Sequence, residues 1–178
     1  MDSINKNQQE NNHKDLNDRE AIEKIKELTK DNKVCFFSTQ PSADDSLGVR
    51  PMSVQQIDDE GNFWFLSAKD SHKNLELQSD KTVRLTFQGS KHSDFMVIEG
   101  NASISQDKAK IKELWEPIVK TWFTEGVNDP RISVIKVRPV KGYYWDNKHG
   151  NAVAGIKMLI GAAIGKTMDD SVEGRITV

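Results

Sequence analysis

The chain has 178 residues, 36% hydrophobic and 29% charged, with a net charge of −2 and a pI near 6.1. One domain fits that length, and the near-neutral charge argues against a general nucleic-acid-binding surface. The single Cys35 cannot form an internal disulfide, and no apolar run reaches the length of a membrane span.

Residues 1–17 hold only Met1, Ile4 and Leu16 as large apolar side chains among Asn, Gln, Lys and Asp. A segment this polar buries too little surface to offset its ordering entropy, so it reads as a disordered tail. It lacks the apolar stretch of a signal peptide and the Arg-rich pattern of a transit peptide, so a cytoplasmic location is expected. "NDREAIEKIKELTK" predicts a helix, with Ala21, Ile22, Ile25 and Leu28 at helical spacing and Asn17 with Glu20 resembling a capping box. "KVCFFST" reads as a strand, and Cys35 within it as a small core residue. "LGVRPMSVQQI" is extended, with Pro51 implying a sheet edge or a bulge. "DDEGN" is a hairpin turn leading into "FWFLSA", the third strand.

A short helix follows "AKDSHK". "KTVRLTFQ" alternates Val83, Leu85 and Phe87 with polar residues, the period of a half-buried strand. "DFMVIEGNASIS" is a fifth strand with Gly100 a candidate bulge. "DKAKIKELWEPIVKTWF" predicts a helix with a stripe of Ile111, Leu114, Trp115, Ile118, Val119 and Trp122, kinked or split at Pro117. "RISVIKVRPVKGYYW" is a sixth strand, and "GNAVAGIKMLIGAAIGKT" a glycine-rich apolar helix. Six strands joined mostly by short turns favour a mainly β, antiparallel Greek-key barrel with flanking helices. The expected organisation is a tail at 1–17, a barrel domain at 18–148, and a helix and tail at 149–178. The Trp-rich helix and the glycine-rich end exceed what a small barrel can cover, which predicts a homodimer. His13, His72, His92 and His149 show no metal-ligand spacing, so no metal site is expected.

The joint before the short helix carries the chemistry. Ser71 is a natural N-cap, and the unpaired N–H groups and dipole of a helix start attract anions. His72 and Lys73 oppose that dipole, an unfavourable choice that becomes sensible when a phosphate sits there. Solvated basic side chains on a capped helix remain the bland alternative. Arg50 on the neighbouring strand and Ser67 at the end of "FWFLSA" point toward the same place, and Gln88 ends the following strand.

Arg-Pro-Met (50–52), then "FWFLSAKDSHK", then "VRLTF" resembles the FMN-binding split barrels of the pyridoxamine 5'-phosphate oxidase-like family. "ELWEPIVKTWFTEGVNDPRISVIKVRPVKGYYWD" is similar to its general stress protein branch, and the resemblance spans about residues 18–145. It implies a six-stranded antiparallel split barrel and a homodimer with FMN, or alternatively FAD, in clefts between subunits. By position it implies that Arg50, Pro51 and Met52 border the flavin ring. Leu66 and Ser67 would contact ring and phosphate. Ser71, His72 and Lys73 would form the phosphate loop, with Gln88 and Trp145 completing the site. Pyridoxamine-phosphate oxidases usually carry Arg-Lys where this chain has His72-Lys73, and their C-terminal Arg-x-His element has no match here. Oxidation of vitamin B6 is therefore not expected. A low-specificity flavin oxidoreductase is the expectation, with a non-enzymatic flavin store or sensor as the alternative. No residue reads as a catalytic acid, base or nucleophile; in flavin enzymes the cofactor carries the hard step, so this does not exclude an enzyme.

Overall fold

A computed structural model of the chain describes residues 12–40, 48–89, 94–147 and 170–178, together with Ala154, Ile156, Lys157, Leu159 and Ile160. In chain order the elements are β1 (Leu16–Asn17), α1 (Asp18–Thr29), β2 (Val34–Ser38), β3 (Val49–Ser53), β4 (Gln56–Ile57), β5 (Phe63–Ala68) and α2 (His72–Ser79). Then follow β6 (Thr82–Gln88), β7 (Phe95–Ser105), α3 (Lys108–Leu114), two 3-10 turns (Pro117–Thr121 and Gly126–Asn128), β8 (Ile132–Asn147) and β9 (Ser171–Thr177).

The strands form one curled sheet. From β3 the path runs through β2, β6 and β7 to β8. The first half of β8 carries β5 on its other edge, and the second half carries β9. All pairs are antiparallel except β1 on β9. After β3 the chain continues through Val54 and Gln55 into β4, which pairs with β5. Val54 N–H donates to Lys33 O and Gln55 N–H to Trp64 O, so this passage draws together the two ends of the curled sheet. β3 and β5 are not paired with each other, and the barrel stays split along that seam.

The expected six strands and mainly β class hold. Among the described residues the sheet has nine strands, because β4 separates from β3 and because β1 and β9 were not foreseen. Residues 12–17, assigned to a disordered tail, are ordered against the C-terminal strand. Leu16 is buried beside Ile176, Lys14 N–H donates to Glu173 O, and Tyr144 Oη donates to Lys14 O at 2.9 Å. The last residues likewise form a sheet strand, not a tail. The remainder of the predicted tail, 1–11, and most of the glycine-rich segment, including 161–165, lie outside the described residues. Ala154, Ile156, Lys157, Leu159 and Ile160 are helical as expected.

Phe37, Phe63, Phe65, Phe87, Leu85, Met96 and Ile98 fill the barrel, with Ile25 and Ala21 of α1 closing one end. Phe37 meets Phe65 edge-on at 5.2 Å, the arrangement that aligns a positive ring edge with a negative face. A smaller cluster of Ile111, Leu114, Val119, Phe123, Ile132 and Val134 packs α3 and the 3-10 turn onto β8. Gly100 is a bulge as expected: the β7–β8 register shifts there, and a Cβ would lie 2.4 Å from Arg138 O. Cys35 is a core residue whose thiol is pushed up to about 12 by burial.

Pro117 splits the predicted Trp-rich helix. The residue before a proline is excluded from the helical region, and Glu116 is extended at φ −116°, ψ 148°. The change of axis breaks the apolar stripe, leaving Ile118 and Trp122 exposed while Val119 stays buried. The capping box at α1 does not form either, since Asn17 makes no side-chain cap bond.

Candidate functional site

A cavity of about 410 Å³ opens at the seam between β3 and β5. Pro51, Met52 and Ser53 of β3 form one wall, Leu66 and Ser67 of β5 a second, and Val119, Trp122 and Phe123 a third. Lys73, from the first turn of α2, is the only titratable residue on these walls among the described residues. Pro51 can sit in β3 because that strand pairs on one side only, with β2.

Lys73 is half-buried, and its ammonium has no carboxylate within ion-pair distance among the described residues. Nζ donates to Ser71 Oγ at 3.4 Å. Burial, followed by the neighbouring Arg50, lowers its pKa from the ordinary 10.5, with Glu76 acting in the opposite sense. The amide N–H groups of His72 and Lys73 find no acceptor among the described residues, whereas those of Asn74 and Leu75 bond to Ser71 O. A cation and two free amides therefore meet at a helix start with no acid in its first turn, the arrangement that suits an anion.

The structure changes the roles of several expected residues. Ser71 occupies the N-cap position but makes no side-chain cap bond. Its Oγ lies 3.2 Å from Ser67 Oγ and donates to Asn74 Oδ1 at 3.3 Å. Ser67 also donates to Asn74 Oδ1, at 2.9 Å, and Asn74 Nδ2 donates to Ser133 Oγ at 2.8 Å. Buried amides and hydroxyls need such partners, and this network pins α2 to β5 and β8. The Ser67 hydroxyl thus borders the cavity, but its proton serves the network. His72 is exposed on the solvent side of α2.

Arg50 does not line the cavity. Its guanidinium is held bidentately by Glu76, with Nη1–Oε2 at 2.8 Å and Nη2–Oε1 at 3.1 Å. Nη1 also donates to Thr39 Oγ1 at 2.6 Å and to Gly48 O at 3.2 Å. Thr39 Oγ1 in turn bonds Glu76 Oε2. Glu76 is only 4% exposed, and a carboxylate so placed requires this charge pairing.

Thr39, Asn74 and Glu76 were not singled out in the sequence. The buried face of α2 is Asn74, Glu76 and Leu77, and Leu75 is exposed. The available hint was an amide three residues and an acid five residues after Ser71, in a helix that follows a strand carrying Arg50.

Gln88 and Trp145 sit apart from the cavity. Cross-strand register aligns Gln88, Phe95 and Trp145 in one row over β6, β7 and β8. Two residues along, Pro51, Phe36, Thr86, Val97 and Tyr143 form a parallel row on the same outward face. Phe36 is 58% exposed, Phe95 42% and Trp145 40%. Through Pro51 the cavity opens at the margin of this apolar face.

A curled, split antiparallel barrel with a cavity at its seam defines the split-barrel class. The pyridoxamine 5'-phosphate oxidase-like family matches residues 20–169, and the chain belongs to that family. The chain is similar to the general stress FMN/FAD binding protein of Xanthomonas citri, at 26% identity over 67% of this chain and 82% of that one, with a TM-score of 0.57. General stress protein 26 of Bacillus anthracis str. Sterne shares the fold at 23% identity, covering 69% of this chain and 92% of that one, with a TM-score of 0.60. Protein bli-3 of Neurospora crassa is 27% identical over 134 residues, 70% of this chain but only 64% of that protein.

Proposed function

We infer that the protein binds FMN through the cavity at the β3–β5 seam and acts, as a homodimer, as a flavin-dependent oxidoreductase of the general stress type. The observation that carries this reading is Lys73. It is a half-buried ammonium with no carboxylate partner among the described residues, beside two free amides at the start of α2. A flavin phosphate supplies the missing negative charge. The cavity is of ligand-pocket size and mostly apolar, which suits a planar ring. The FMN/FAD binding of the Xanthomonas citri relative supports the choice of cofactor and keeps FAD as an alternative. Bound flavin would supply the electron-transfer chemistry.

The chain's own residues do the rest. Lys73 and the His72 and Lys73 amides hold the phosphate, while Met52 and Leu66 border the ring. Trp122 and Phe123 restrict water at the third wall. Gln88 and Trp145 lie on an exposed apolar face that the cavity mouth adjoins, so they reach flavin across a subunit interface. That arrangement is the reason for proposing a homodimer.

A second reading is favoured by one feature. Among the described residues Lys73 is the only titratable group on the cavity walls, which suits a protein that holds flavin without turning it over. Reduction of bound flavin by a nicotinamide cofactor, with steady turnover to an acceptor, supports the oxidoreductase. Tight flavin binding without turnover supports the store or sensor.

Fluorescence titration of wild type and Lys73→Ala with FMN and riboflavin tests the site. A charge-assisted hydrogen bond contributes about 1.5–3 kcal/mol, so FMN should weaken roughly ten- to a hundredfold while riboflavin is unaffected. Equal loss for both ligands would mean that Lys73 supports the ring or the fold. No loss for either would return it to a solvated helix charge.

A further inference from the structure

Building on the flavin-phosphate reading, we propose that Glu76 is the residue that sets how tightly the site grips phosphate, because it holds Arg50 in an internal ion pair and cancels its charge. Two cations stand near the start of α2, Lys73 and Arg50, and Arg50 is close enough to add to burial in lowering the Lys73 pKa. Only Lys73 lines the cavity. Arg50 is drawn onto Glu76 through both of its terminal nitrogens, with Thr39 bridging the pair.

Glu76 is nearly inaccessible, whereas the Arg50 side chain retains 22% exposure. The carboxylate is thus fixed by the fold, and the guanidinium is the member that could face an incoming anion. With the pair intact, the three groups present one net positive charge. A phosphate monoester carries about −1.5 to −2 at neutral pH, so the site under-neutralises it. The neutral flavin ring gains nothing from this balance, which makes Glu76 a determinant of phosphate grip separate from ring recognition. A site charged this way favours exchange of the phosphorylated ligand over permanent retention.

Glu76→Gln keeps the shape and an acceptor for Thr39 and Arg50 but removes the negative charge. In the full chain, fluorescence titration should find FMN bound roughly tenfold or more tighter than in wild type. Riboflavin should be unchanged, and FMN binding should depend more steeply on salt. If Glu76→Gln does not fold, the double variant Arg50→Gln/Glu76→Gln, which removes both charges of the pair together, decides: FMN binding close to wild type supports the inference, and FMN weakened selectively against riboflavin shows that Arg50 serves the phosphate in spite of Glu76 and overturns it. Weaker FMN in Glu76→Gln, or equal changes for FMN and riboflavin, with wild type still binding FMN, would show that Glu76 only shapes the site. That result overturns this inference and leaves the flavin reading standing. Failure of wild type to bind either flavin overturns both.

Discussion

Lys73 and Glu76 divide the chemistry of α2 between them, and each has a distinct experimental signature. Burial and Arg50 hold the Lys73 pKa below 10.5, so its charged form is disfavoured in the folded protein. The sign follows: the folded state binds fewer protons than the unfolded chain between the lowered pKa and 10.5, and apo stability from this group rises with pH across that window. FMN bound as proposed would reverse the preference by supplying an anion. FMN affinity should therefore fall as pH rises through a value below 10.5, while riboflavin affinity stays flat, as read by titration at a series of pH values. An equal alkaline loss for riboflavin would place the effect elsewhere. Arg50→Ala has a different cost, because it takes the guanidinium from a carboxylate only 4% exposed. Removing one partner of such a pair costs about 3 kcal/mol or more, so the urea midpoint should drop well below that of Lys73→Ala. Matching midpoints would mean that Glu76 is adequately held by Thr39 and its other neighbours. Lys73 was legible in the sequence because it breaks the dipole rule at a helix start. Glu76, Asn74 and Thr39 were not, because a polar residue on a short helix or at a strand end reads as solvated until tertiary packing covers it.

β9 and the segment before α1 depend on one backbone approach. Gly174 lies in β9 so close to Lys14 that a Cβ there would meet Lys14 O at 1.9 Å. Gly174→Ala should thus push residues 12–17 off β9, removing the Lys14 N–H bond to Glu173 O and the Tyr144 bond to Lys14 O. Hydrogen exchange should show faster exchange in residues 12–17, with β6 and β7 unchanged. Unaltered protection of Lys14 would contradict this. β5, β6 and β7 were readable because alternation such as Val83, Leu85 and Phe87 survives in each. β9 was not: Val172, Gly174 and Ile176 alternate, but a glycine and the flanking Glu173 and Arg175 dilute the signal. β1 has two residues and no period at all, so only its partner reveals it. The break at Pro117 was readable, since the geometry before a proline is local; the resulting exposure of Ile118 and Trp122 depends on the direction taken afterwards.

At the scale of the whole molecule, the outward face carrying Val34, Phe36, Phe95 and Trp145 is exposed and is where the proposed homodimer would form. Neighbouring apolar side chains this exposed mark an interaction surface. Phe36, at 58% exposure, has little to lose from substitution within a single chain. Phe36→Glu should leave the fold intact, shift sedimentation from dimer to monomer, and weaken flavin binding by separating Gln88 and Trp145 from the partner's cavity. A variant that remains dimeric would move the interface to the exposed Ile118 and Trp122 or to the C-terminal helix, where the sequence had pointed. The barrel class was legible from strand spacing, but this face was not, because Phe36 and Phe95 look like core residues until the curl of the sheet turns them outward. Flavin binding itself is tested most directly by equilibrium dialysis of the wild-type chain against FMN, with the retained flavin read from its visible absorption. One FMN per chain, not displaced by inorganic phosphate alone, is the predicted result. No retained flavin at protein concentrations that support the dimer would contradict it.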